Sequence, residues 1–209
     1  SVAADGRSLV TAVGQRRSTI WIHDDKGERQ VSAEGFAFRP RLSSDGQRLY
    51  YLRQQNSSNS SSVELRSTEL ASGRTDLVVP DRSMADYDIS KDQRDVVFVA
   101  AASDGVPEIW LATVDRSAPP RRLVRGGDEL RLTQSGVFYR ELGAKESFLT
   151  RIGRNETEPR RVMQTPILDV VSLSPSGSWA LVIASGTGEV GTPALFVVEH
   201  QSPWTVILP

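Results

Sequence analysis

The sequence predicts an all-β chain, a β-propeller of four-stranded antiparallel blades, and three observations carry that expectation. A turn motif recurs as Asp5-Gly6-Arg7-Ser8-Leu9, Ser43-Ser44-Asp45-Gly46, Ser90-Lys91-Asp92-Gln93, Thr133-Gln134-Ser135-Gly136 and Ser174-Pro175-Ser176-Gly177. Asp-Gly between alternating apolar runs is a hairpin signal, because Gly takes the positive φ that a tight primed turn demands. The third motif position falls at residues 5, 45, 92, 135 and 176, giving spacings of 40, 47, 43 and 41, within the roughly 40–50 residues of a propeller blade. Almost no segment has helical periodicity.

Taken in order, each turn is followed by a strand, a polar loop, a second strand often marked by an apolar-aromatic pair, another turn and a strand led by Arg. The first repeat supplies Ser8 to Val13, Ser18 to His23 and Arg29 to Ser32; the second Leu49 to Arg53, Val63 to Glu69 and Arg74 to Val79. The third supplies Asp95 to Ala101, Glu108 to Val114 and Arg121 to Val124; the fourth Val137 to Glu141, Phe148 to Ile152 and Arg160 to Met163. Trp179 to Ala184, Ala194 to Glu199 and Trp204 to Leu208 close the fifth. One domain over 1–209 is expected, with blades near 1–33 (partial, lacking its innermost strand), 34–81, 82–126, 127–166 and 167–209.

Val96 to Ala100 and Ala180 to Ala184 are apolar throughout, as suits a strand sandwiched between neighbouring blades. The Arg-led strands belong at the outer rim, where charge on an edge blocks pairing with other molecules. The strand before each turn alternates instead. Leu42, Ile89, Leu132 and Leu173, with Pro40, Tyr87, Leu130 and Val171, are expected to face the core. The intervening residues then share the opposite face, which in a propeller lines the central channel. Arg39, Arg41, Asp86, Asp88, Glu129, Arg131 and Asp169 are the channel-lining candidates. Their mixed sign suits mutual neutralisation, or recognition of a small anionic or zwitterionic ligand or an inserted peptide segment.

Composition removes several function classes. With 25 basic and 26 acidic residues the net charge is −1, so no general pull toward nucleic acid or anionic membrane exists. Cysteine is absent, which removes disulfides, thiolate zinc sites and cysteine nucleophiles. No apolar run approaches the ~20 residues of a membrane span. The chain opens without Met, just before a turn motif, and is expected to come from something longer.

The stretches Asp5 to Leu9 with Ile20-Trp21-Ile22-His23-Asp24, and Leu42 to Gly46 with Leu49-Tyr50-Tyr51, resemble the repeat of the TolB-like bacterial propellers. The resemblance spans the chain, strongly in the first three repeats and weakly in the fourth, which lacks both the Asp and the Trp. It implies membership of a ring of six or more blades. It also implies a binding scaffold in a larger bacterial protein, periplasmic or otherwise extracytoplasmic in preference to cytoplasmic. Propellers of this type also gate prolyl oligopeptidase-type serine peptidases, and that is the alternative reading, with the catalytic domain outside this chain.

The remaining motifs have simpler explanations. Gly186 to Gly191 matches G-x-G-x-x-G, but Pro193 and a strand follow where a dinucleotide site needs a helix. No G-x-S-x-G elbow exists, and His23 and His200 occupy equivalent repeat positions, which points to structure. His23, Asp24, Asp25 and Glu28 fit neither zinc nor calcium spacing. Asn56 to Ser62 reads as a polar hairpin tip, and its sequons, like that at Asn155, as loop composition. No catalytic residue, metal or cofactor is therefore expected; the function read here is non-catalytic binding of a protein or peptide partner or of a ligand. The partner surface is expected on the loops Gly14 to Arg17, Gln54 to Ser62, Ser103 to Pro107, Leu142 to Glu146 and Ser185 to Pro193, with the crossovers Pro80 to Ala85, Gly126 to Asp128 and Gln164 to Pro166.

Overall fold

The computed structural model describes residues 18–24, 27–32, 35–56, 61–185, 193–199 and 205–208. The first turn motif, the strand expected at Ser8 to Val13, the loops at 14–17 and 186–191, and His200 lie outside the described residues. Among those described there is no helix.

Every sheet is antiparallel between sequence neighbours. A two-stranded sheet, β1 (Trp21–Asp24) and β2 (Gly27–Gln30), stands for the first repeat. The second repeat forms β3 (Phe36–Leu42), β4 (Arg48–Asn56), β5 (Ser61–Glu69) and β6 (Thr75–Leu77). The third forms β7 (Asp86–Ile89), β8 (Asp95–Ala101), β9 (Pro107–Thr113) and β10 (Arg121–Arg125). The fourth forms β11 (Gly127–Thr133), β12 (Gly136–Leu142), β13 (Ser147–Ile152) and β14 (Arg160–Arg161). The fifth forms β15 (Ile167–Leu173), β16 (Trp179–Ser185), β17 (Pro193–Glu199) and β18 (Thr205–Leu208). One pairing, Ser147 with Ile167, bridges the last two sheets.

Alternating side chains send one apolar set of each second strand to either side, and the core is divided accordingly into one cluster per seam. Leu49 and Tyr51 of β4 pack with Ile20 and Ala37, while Tyr50 and Leu52 pack with Tyr87, Val96, Phe98 and Ala100. Val97 and Val99 of β8 turn the other way, onto Leu130, Val137 and Tyr139. Phe138 then faces Val170, Ala180 and Val182. Each blade is thus held by its neighbours. Burying such side chains contributes roughly 1.5–3 kcal/mol apiece.

The outer strands β6 and β14 are shorter than the Arg74 to Val79 and Arg160 to Met163 expected from the sequence. Their apolar ends leave the edge and tuck under it: Val78 and Val79 join the seam between the second and third blades, Val162 and Met163 that between the fourth and fifth. Val78 N–H still donates to Leu65 O at 2.9 Å, and Val162 N–H to Leu149 O at 2.8 Å.

The even alternation expected of the innermost strands holds without a break only in β7. Register shifts interrupt β3 between Phe38 and Arg41, β11 between Asp128 and Arg131, and β15 between Ile167 and Asp169 and again between Val170 and Ser172. Arg39 (φ 53°) and Glu129 (φ 48°), at the same repeat position, take left-handed conformations. An inserted residue reverses which side faces inward. Tyr87 and Leu130 are therefore core residues as expected, whereas Pro40 is exposed and Leu42 is 56% exposed. Val171 is 41% exposed, and its neighbour Val170 is buried instead.

The recurring turns also touch across the seams. Ser44 Oγ donates to Lys91 O at 2.7 Å, Gln93 Nε2 to Asp45 Oδ2 at 3.0 Å, and Gln134 N–H to Pro175 O at 3.1 Å. Gly46 (φ 69°) and Gly177 (φ 77°) occupy the left-handed place of the turn, which Gln93 (φ 60°) takes in the third blade. A Cβ on Gly46 would meet nothing, whereas one on Gly177 would collide with Ser135 Oγ and lie 2.7 Å from Thr133 Oγ1. Gly46→Ala should cost about 1 kcal/mol, the backbone penalty alone. Gly177→Ala should cost roughly 1–3 kcal/mol more through overpacking of the seam. Urea midpoints of the two variants measure the difference, and equal losses would contradict the close turn-to-turn contact.

Candidate functional site

The innermost strands β7, β11 and β15 run side by side along one line, with β3 beside β7, and the charged side chains named above meet there. Asp86 is nearly buried and receives Arg39 Nη1 at 3.0 Å from the preceding blade, with Arg131 Nη1 of the following blade at 3.7 Å. Desolvation pushes its carboxyl above the usual carboxylate range, and Arg39 and Arg131 oppose that rise. Tyr87 beside it is buried and donates its hydroxyl to Arg39 O at 2.8 Å. The same burial raises that hydroxyl's pKa far above its ordinary value, so Tyr87 stays a neutral donor.

Asp88 ties three blades together. Its Oδ1 accepts from Ile89 N–H at 2.9 Å and its Oδ2 from Leu132 N–H at 2.8 Å, with Arg41 Nη1 at 3.5 Å. Arg131 donates to two carbonyls, Leu130 O at 2.7 Å and Val170 O at 3.4 Å.

Glu129 and Asp169 meet carboxyl to carboxyl across the seam between the fourth and fifth blades. Glu129 Oε2 also accepts from Val170 N–H at 3.2 Å, and its Oε1 lies 2.9 Å from Arg140 Nη2. Burial first, then the hydrogen bond to Asp169, raise the Glu129 carboxyl to about 7, against the pull of the Val170 N–H and Arg140. Glu129 can therefore hold its proton toward neutrality.

Two members of this group were missed by the sequence reading. Arg140 on β12 grips Asp128 with Nε–Oδ1 at 2.8 Å and Nη2–Oδ2 at 2.9 Å, and bonds Leu168 O as well. Asp128 and Arg140 are direct cross-strand partners, so the register of an opposite-charge pair was the signal that could have found them.

A cavity of about 870 Å³ opens where these strands reach the recurring turns. Arg41, Asp88 and Arg131 line it beside Ile89, Leu132, Val171 and Leu173, and Ser44, Lys91, Gln134 and Pro175 rim it. This is the end opposite to the loops on which the sequence placed the partner surface. The rim is set by hydroxyl-carboxylate contacts, with Ser43 Oγ donating to Asp45 at 2.6 Å and Ser90 Oγ to Asp92 at 2.6 Å. Ser43, the Gln47 N–H and Gln93 hold the exposed Asp45 carboxyl down to about 2.

No family model and no curated protein matches the sequence. Solved structures do match in fold. TolB from Acinetobacter baumannii superimposes over 91% of this chain with a TM-score of 0.69 at 17% identity, and the chain spans 49% of that protein, about half its length. The fold is that of a TolB-like β-propeller. The β-propeller domain of the trilobed protease from Pyrococcus furiosus follows over 90% of this chain and 62% of its own, with a TM-score of 0.64 at 14% identity. An acylaminoacyl peptidase from Pyrococcus horikoshii covers 84% of the chain at 11% identity with a TM-score of 0.63, the match taking in 33% of the peptidase. At these identities the likeness speaks for the propeller fold.

Elsewhere, His23 Nδ1 lies 3.9 Å from Glu28 and Asp24 pairs with Arg29 at 3.0 Å, all on the exposed first sheet. Among the described residues no group of three or more His, Asp or Glu side chains is placed to hold a metal ion. Asp25, His200 and the 186–191 loop lie outside the described residues.

The raised Glu129 carboxyl fixes a sign. The folded state holds this proton more tightly than the unfolded chain, so the associated stability is complete at low pH and lost as pH rises from about 4.5 toward about 7. Solvent screening of this partly exposed group leaves a loss of about 1 kcal/mol. Glu129→Gln should remove that loss, flattening the urea midpoint between pH 5 and 7.5. A variant with the same pH dependence as the parent would contradict the raised Glu129 carboxyl.

Proposed function

We propose that this chain is a non-catalytic binding module, a propeller that holds a protein or peptide partner at the turn end of its channel. The observation that carries this reading is the concave opening of about 870 Å³, whose polar side chains sit on inner strands fixed by three seams. A rigid scaffold with a preformed concavity loses little freedom on binding. An extracytoplasmic location goes with this reading.

A second reading, that of a gating propeller for a prolyl oligopeptidase-type serine peptidase, is supported by the match to a peptidase of which this chain spans 33%. The two readings differ in what the turn end meets: a separate partner in the first, a hydrolase domain of the same protein in the second.

The test uses the purified chain. Peptides selected from a random display library should protect the turn amides at 43–46, 90–94, 133–136 and 174–178 from hydrogen exchange. Peptide p-nitroanilides should stay intact in the same preparation. Protection confined to the outer strands, or no selected binder, would remove the first reading, and turnover of the substrates would remove the non-catalytic assignment.

A further inference from the structure

We infer that the turn-end cavity is an oxyanion site, taking a small organic carboxylate or phosphate with an apolar body. This rests on the binding-module reading and goes beyond it by naming the ligand chemistry. Four cationic side chains line the cavity, Arg41, Lys91, Arg131 and Arg154, against two carboxylates, Asp88 and Asp92.

Both carboxylates already accept hydrogen bonds from the chain around them. Both oxygens of Asp88 already receive backbone N–H groups, from Ile89 and Leu132. Asp92 Oδ1 is held by Ser90 Oγ at 2.6 Å and the Arg94 N–H at 3.2 Å. Of the cations, only Arg154 is tightly paired, with Asp95 at 2.6 Å.

Arg41 stands 3.5 Å from Asp88, and Arg131 stands 3.7 Å from Asp86. Those separations give attraction without a good hydrogen bond. Asp86 Oδ2 is itself buried and has no hydrogen-bond partner. The exposed Lys91 has no ion-pair partner among the described residues. Arg131 already gives N–H groups to Leu130 O and Val170 O and adds its charge to the site, while Arg41 and Lys91 can offer charge-assisted bonds to an incoming oxyanion.

Beside these donors the wall is apolar. Ile89, Leu132, Val171 and Leu173 line the same space, and Val171 keeps 41% of its surface open. A ligand with an aryl or alkyl body covers that surface while its anionic end faces the guanidiniums. The volume of about 870 Å³ lies within the usual range of small-molecule pockets, roughly 300–1,000 Å³.

Benzoate, phenyl phosphate and benzylammonium, titrated into the isotope-labelled full chain at up to roughly 10 mM, the range suited to ligands of this size, separate the possibilities by amide chemical shift. One or both anions should give saturable shifts at residues 88–92, 131–134 and 171–174, and their relative strength tells a carboxylate site from a phosphate site. Benzylammonium should give none. Arg41→Gln and Lys91→Gln should each weaken the better anion at least ten-fold, while Arg74→Gln, on an exposed outer edge, leaves it unchanged. Unaltered thermal midpoints show that the variants still fold.

No saturable shift with either anion, equal binding of benzylammonium, or undiminished affinity in both cavity variants would overturn the site. If the anions fail while selected peptides still protect the turns, only the oxyanion assignment falls. If neither ligand class engages the turn end, the binding-module reading falls with it.

Discussion

Because β4, β8 and β12 carry apolar side chains on both faces, each sheet has to be covered twice, and a sheet of the same kind offers a matching surface. Tyr50 and Leu52 on one face of β4, with Leu49 and Tyr51 on the other, state the requirement within four consecutive residues. Val96 to Ala100 repeat it in the third blade, whose two faces lie in different clusters. A two-layer sandwich would leave one of those faces in water, at a cost of roughly 25 cal/mol for each Å² exposed. Stacking in sequence order satisfies both faces, and it brings the first strand of every blade to the same line.

The arrangement of charge follows from that convergence. Inner-strand side chains that do not enter the seam clusters are largely polar, and they neutralise one another across seams. Asp86 is the clearest case: it lies on the third blade and is met by Arg39 from the second and Arg131 from the fourth. A carboxylate this buried is tolerated only when paired. The contacts therefore specify how adjacent blades register along the axis, in addition to the apolar packing that holds them together.

Much of this architecture was legible in the sequence, and the exceptions have physical causes. The turns and the second strands could be read because each depends on local chemistry: a residue able to take positive φ and a period of two. The register shifts at Arg39 and Glu129 were not legible, since neither Arg nor Glu advertises a left-handed backbone. Those in β15 reversed the expected roles of Val170 and Val171. Val78-Val79 and Val162-Met163 read naturally as more of an edge strand, and only the shape of the neighbouring blade draws them inward. Arg140 was passed over because it stands on a second strand, where the surrounding residues are apolar.

The inner-strand charges also follow the direction of their strands. β11 runs toward the turn end, so Asp128 and Glu129 come first and Arg131 later. Arg140 meets both Asp128 and Glu129, and the Glu129 carboxyl, raised to about 7 beside Asp169, holds its proton toward neutrality. At the turn end the excess is cationic, from Arg41, Arg131 and Lys91. Raising the pH through the titration of Glu129 therefore adds negative charge beside Asp169, at the end of the strands away from the cations of the turn-end cavity.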